Sequence, residues 1–215
     1  MKIRFTSIVL IIVTIIGVLG MISGHRMNYI TYHKSLDRVA VTVDGEQLTL
    51  RDAAFYITYQ ENLVEGQAFI YNPQNTGRYW NIHRSGRFVR TEAKQAAMDQ
   101  MVHDEVFFRL SQQEGIELTE QEESYLANEQ QDFWDDYGEK NSDVLGVGRD
   151  IFDESMYKIA VAQKYQALMA AAEEREFEEY SVSGEAYEEL LLEHSYEINE
   201  DLWGRVHFGS ITVPH

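Results

Sequence analysis

The residues of this chain best suited to chemistry are aromatic side chains grouped on helical stretches, and the chemistry they offer is apolar recognition. Phe55, Tyr56 and Tyr59 fall on neighbouring faces of one helical stretch. Phe133, Trp134 and Tyr137 gather near the end of another, beside a glycine-containing loop. Such rings carry large apolar areas, and Tyr and Trp add a polar tip. Two readings stay open for each group: packing in a core, or lining a groove that holds another polypeptide. On the second reading Tyr56, Tyr59, Phe133, Trp134 and Tyr137 are the candidate peptide-binding residues. Trp80 and Trp203 read as packing anchors.

Other chemistries find little support. Seven histidines are scattered at positions 25, 33, 83, 103, 194, 207 and 215. None belongs to an HExxH pattern or to a ligand pair with a nearby carboxylate, so no metal is expected. His103-Asp104-Glu105 reads as a polar helix face. Carboxylate pairs such as Glu122-Glu123 and Asp135-Asp136 arise by chance among 36 acidic residues and do not mark a glycosidase. Phe208-Gly209-Ser210 lacks the second glycine of a nucleophile elbow. Gly146-Val147-Gly148 is a lone GxG with no convincing strand before it. No catalytic residue and no cofactor is assigned, and the chain does not read as an enzyme.

Bulk properties narrow the partners. The formal net charge is -18, from 36 acidic and 18 basic residues. Nucleic-acid binding draws its affinity from neutralising phosphates with Lys and Arg, so nucleic acid is not an expected partner. The chain has no cysteine, which excludes disulfides, thiolate metal sites and a lipid-modified N-terminal cysteine. Only Pro73 and Pro214 occur, which permits long helices.

The N-terminus carries a separate signal. Residues 5 to 22, FTSIVLIIVTIIGVLGMI, contain no charge and follow Lys2 and Arg4. A helix of that length spans about 27 Å, close to a bilayer's hydrocarbon core. The preceding basic residues hold the N-terminus inside and send the rest outward. Residues 1–24 therefore read as a signal anchor. A cleaved signal peptide, cut after Val18-Leu19-Gly20, is the rival. Either way the folded part is expected outside the cytoplasm, on a single-pass membrane protein. Residues 25–38 read as a polar tether.

The elements that would position the aromatics follow from pattern. Val39-Ala40-Val41-Thr42-Val43 predicts a strand, and Asp44-Gly45 a turn. Thr49, with Asp52 three residues on, predicts a helix start, and Gly66 a stop. Residues 66–90 predict an irregular excursion with a short helix. From Thr91 to Glu114 apolar residues recur at helical spacing, and Gly115 ends the run. Thr119 with Glu122 predicts a capping box and a helix to about Tyr137. Residues 138–148 read as a loop, and a long helix is expected over 153–178 with Met156, Ile159 and Ala160 among its apolar positions. Ser183 opens a short helix, and residues 206–213 read as a closing strand.

Two stretches, VAVTVDGEQLTLRDAAFYI at 39–57 and EAKQAAMDQMVHDEVFFRLSQQEGIELTEQE at 92–122, resemble the N-terminal domain of the SurA and PrsA chaperone families. Ser181-Val182-Ser183-Gly184-Glu185-Ala186-Tyr187 looks like the start of the family's next helix. The resemblance covers residues 39 to about 213. It implies a mainly α fold with a small β element, a multi-helix peptide-binding domain of the SurA N-terminal or trigger-factor C-terminal kind, after one N-terminal transmembrane helix. The domain is placed at 39–215. The resemblance also implies that the first strand pairs with a later segment and that the helices form a cradle for unfolded or extended polypeptide. Many members continue into a parvulin prolyl isomerase domain. The sequence stops at His215, so isomerase activity is not expected. A second reading has the domain serving as a structural or assembly subunit with one dedicated protein partner.

Overall fold

Three valines alternate with smaller residues in Val39–Val43, and this segment forms β1, the middle strand of a three-stranded antiparallel sheet. A computed structural model describes residues 29–84 and 86–213. The anchor expected over 1–24 and the first part of the tether lie outside the described residues. Among the described residues no helix is long and apolar enough to cross a membrane. The rest of the expected tether packs onto the body. Tyr32 and Leu36 are buried, the Tyr32 hydroxyl donates to the Leu50 carbonyl, and Ile30 N–H donates to the Arg205 carbonyl at 3.1 Å.

Asp44 and Gly45 both take positive φ, 48° and 85°. That is the two-residue turn whose twist matches a right-handed hairpin, and it joins β1 to β2, Glu46–Thr49. On the other side β1 pairs with β5, Tyr196–Ile198. The closing strand expected over 206–213 does not form, and the partner lies earlier in the chain. Residues 206–213 are apolar for another reason. Val206 and Phe208 are buried, and Gly209, at φ +81°, lies so close to the Trp80 ring that a Cβ there would collide with it. Asp44 also ties the hairpin to the start of β5. Its carboxylate accepts from Ser195 N–H at 2.8 Å and lies 2.6 Å from His194 Nδ1. Burial pushes the Asp44 pKa up, but the His194 and Ser195 bonds outweigh it and hold the pKa below the ordinary value.

The first helix is longer than the sequence cues indicate. The Thr49 N–H and hydroxyl both donate to Asp52, but the Thr49 hydroxyl accepts from Arg51 N–H at 3.2 Å, so the pair closes a turn over 50–53 and not the helix start expected at Thr49. The regular helix α1 then runs Ala54–Tyr71, straight through Gly66, and ends just before Pro73. The excursion that follows holds a 3-10 turn, Thr76–Asn81, and a minimal hairpin of β3, His83–Arg84, with β4, Arg87–Phe88. Helix α2, Val89–Gln113, stops before Gly115 at φ +66°. Helix α3, Glu120–Phe133, opens on a complete capping box between Thr119 and Glu122.

Most of the loop expected over 138–148 is helical. A π-helical turn, Trp134–Gly138, leads into α4, Glu139–Leu145, and Gly146 at φ +72° ends it. Helix α5, Arg149–Ala172, begins four residues before its expected start and ends six before its expected end, where Glu174 takes φ +55°. A 3-10 turn, Phe177–Tyr180, then α6, Glu185–Leu191, and α7, Glu200–Gly204, complete the described chain.

The protein is mainly helical with a small sheet. Its main core gathers Val41, Leu50, Ile57, Trp80, Met101 and Phe152 from the sheet and the turn after β2, from α1, from the 3-10 turn Thr76–Asn81, and from α2 and α5. Full burial of such side chains returns about 1.5–3 kcal/mol each. A second cluster packs Phe107 and Ala162 against Tyr180 and Tyr187.

The polar face expected at His103-Asp104-Glu105 is in fact buried, because α2 is enclosed by α1, α5 and the segment from 177 to 187. The His103 ring lies 2.9 Å from both Asp104 Oδ1 and the Tyr180 carbonyl. A carbonyl only accepts, so Nε2 carries a proton there. This bond spans 77 residues of sequence and pins the second cluster to α2.

Candidate functional site

Among the described residues, helix α3 is the one long helix that buries nothing. Its sequence, EQEESYLANEQQDF, holds few apolar residues, and Tyr125 is 69 % exposed. In a close-packed helix pair the facing apolar side chains would be covered. Here a groove of about 1060 Å³ opens between α3 and α5. Phe55, Met156, Ile159 and Ala160 give its apolar floor, with Leu118, Tyr125 and Leu126 on the opposite wall.

Polar struts hold the two helices at both ends. At one end Lys164 Nζ donates to the Glu117 carbonyl at 2.9 Å and to Glu122 Oε2 at 2.6 Å. At the other end Gln130 Nε2 donates to the Asp153 carbonyl at 2.9 Å, and Arg149 Nη1 donates to Gln131 Oε1 at 2.8 Å. These pairings run antiparallel, so α3 and α5 are tied like the two sides of a frame.

The Lys164 strut has a titration signature. Hydrogen bonds from Lys164 and Thr119 lower the Glu122 pKa from 4.5 to about 2. A depressed carboxyl pKa makes the strut's contribution complete above the unfolded value. It is lost as pH falls through about 2. Side-chain carboxyl NMR should therefore give a Glu122 midpoint near 2, and Lys164→Met should move it upward. An unshifted midpoint in the parent protein would remove the strut.

The aromatic residues singled out from the sequence fall in three places. Tyr56 is 7 % exposed and sits in the core, where burial and then Asp104 push its hydroxyl pKa well above the ordinary value. That burial leaves it little surface for a ligand. Tyr59 is 49 % exposed and stacks on Phe55 at 6.0 Å, with 12° between ring planes. Phe133 meets Phe55 at 4.9 Å, Tyr137 at 5.5 Å and Phe152 at 5.6 Å, and Trp134 meets Phe152 at 6.0 Å. Tyr59, Phe133, Trp134 and Tyr137 thus form an aromatic wall that supports Phe55 at the groove. The wide π turn crowds Trp134 against Gly138, where a Cβ would collide with the ring. Such turns are frequent at functional sites.

Sequence reasoning did not single out the floor itself. Met156, Ile159 and Ala160 were legible as an apolar stripe at i, i+3 and i+4. The missing signal was the neighbour: a capped helix too polar to cover that stripe. Among the described residues no group of three or more His, Asp or Glu is placed to hold a metal ion. Comparison with family models, with curated proteins and with solved structures returns no match for this chain.

Proposed function

We propose that the chain is an extracytoplasmic, membrane-anchored, chaperone-like module of the SurA/PrsA kind, which binds unfolded or extended polypeptide between α3 and α5. The observation that carries this reading is the strutted groove, with an apolar floor beneath a helix that buries none of its own residues. Such a floor returns about 25 cal/mol for each Å² of client apolar surface it covers. The costs of association take back much of that, leaving the weak, exchangeable binding a holdase needs. Methionine in the floor adapts to varied shapes.

The apolar run at 5–22 supports the anchor, and its basic N-terminal flank supports export of the body. The test uses the full chain in lipid nanodiscs. At stoichiometric excess over a reduced, aggregating client it should suppress light scattering, while empty nanodiscs should not. No suppression at fivefold excess contradicts the proposal. Capture of a single stoichiometric partner with no general client binding would favour the dedicated-subunit reading.

A further inference from the structure

We infer that the preferred occupant of the groove is a short apolar tract flanked by Lys or Arg, selected by the acidic arm that walls it. This deepens the peptide-binding reading and rests on it. Helix α3 carries Glu120, Glu122, Glu123, Glu129 and Asp132 and has no Lys or Arg. Among the described residues Lys164 is the sole base lining the groove, and it is committed to Glu122 and to the Glu117 carbonyl. Glu129, at the Phe55 and Met156 end, is exposed and makes no ion pair among the described residues. At the Lys164 end Phe177 lies between Glu176, whose carboxylate caps the 3-10 turn at Glu179, and Glu178, which is exposed. Each mouth therefore has an exposed carboxylate beside the apolar floor, Glu129 at one end and Glu178, next to the lining Phe177, at the other.

The geometry sets the length of the tract. Eight residues separate Gln121 from Glu129 along α3 and Met156 from Lys164 along α5, a run of about 12 Å. An extended chain rises about 3.3 Å per residue, so the floor takes about four residues. Residues just outside that tract meet the acidic mouths. Within a Debye length, about 8 Å at physiological salt, opposite charges there attract and like charges repel. Carboxylate flanks on the client would be rejected as much as basic flanks are favoured, which is how charge confers selectivity.

The experiment compares three fluorescent peptides with the same four-residue apolar centre, flanked on each side by two lysines, two serines or two glutamates. Binding to the full chain in neutral-lipid nanodiscs is read by anisotropy at 50 and 500 mM salt, with empty nanodiscs as the blank. The lysine-flanked peptide should bind about tenfold tighter than the glutamate-flanked one at 50 mM salt. The ratio should fall to about twofold or less at 500 mM, since exposed charges are screened. Glu129→Lys should reduce the low-salt ratio at least threefold, and an unchanged ratio would overturn the charge selection. Equal binding of all three peptides overturns the charge selection but leaves the groove reading standing. Binding of none overturns both.

Discussion

Ala160→Trp should weaken peptide binding at least tenfold while leaving the fold intact. Ala160 lies in the groove floor next to Ile159 and opposite α3, and it is half-buried because the space above it is open. An indole there fills the volume a client would use. The cost to the helix itself is small, because Trp ranks only about 0.5 kcal/mol below Ala in helix propensity. Overpacking, which costs 1–3 kcal/mol in a filled core, does not arise over an open groove. The matched control is Ala127→Trp, which adds the same bulk at an exposed position of α3 that does not line the groove. Anisotropy titration with the lysine-flanked peptide, and melting curves for both variants, would check this. Equal affinity in the two variants would show that peptide binds elsewhere.

Glu61→Leu should destabilise the protein by about 3–5 kcal/mol, because it strips the acceptor from several enclosed donors at about 1–3 kcal/mol each. Glu61 has no exposed surface, and the chain from Gly209 to Thr212 folds round its carboxylate. Gly209 N–H donates to Oε1 at 2.5 Å, and Thr212 N–H and hydroxyl both donate to Oε2 at 2.6 Å. Ser210 and Ile211 N–H add longer bonds at 3.3 Å. Consecutive N–H groups turned onto one anion form a nest, and leucine would leave the buried Gly209 N–H and the half-buried Thr212 donors without that acceptor. For a chain of this size the loss corresponds to a fall in Tm of about 6–20 °C. Chemical denaturation would measure it, and a change under 1 kcal/mol would contradict the account.

The same residue gives a pH dependence of known sign. Burial outweighs the five donors and raises the Glu61 pKa above 4.5. Between the unfolded value and the higher folded one the native state binds more protons. Stability carried by this group is therefore full below about 4.5 and declines as pH rises through the folded pKa. The Leu variant should lack that component.

Local chemistry was legible in the sequence where it depends on neighbours. Asp44-Gly45 specifies its turn because both residues tolerate positive φ. Thr119 and Glu122 specify the start of α3 by exchanging bonds across three residues. Gly115 marks the end of α2 for the same conformational reason. Gly66 misled because a glycine inside a helix costs only about 1 kcal/mol, which the packing of α1 repays.

Long-range pairings were not legible. The short, exposed Tyr196–Ile198 pairs with β1, while the apolar 206–213 run, which has the stronger strand pattern, wraps Glu61 and covers Trp80. No local pattern announces a carboxylate 148 residues away. The site was half legible for a related reason. Aromatic clustering pointed to Phe133 and its neighbours, which buttress the groove. The floor of Met156, Ile159 and Ala160 looks like any core stripe until the polarity of α3 is set against it.

The central claim is that polypeptide occupies the space between α3 and α5. Methyl NMR of the full chain in nanodiscs, titrated with the lysine-flanked peptide, tests it most directly. Intermolecular NOEs to the methyls of Leu126, Met156 and Ile159 are the expected result, with none to the enclosed core methyls of Val41 and Ile57. NOEs confined to other surfaces, or floor methyls that do not respond at saturating peptide, would contradict it.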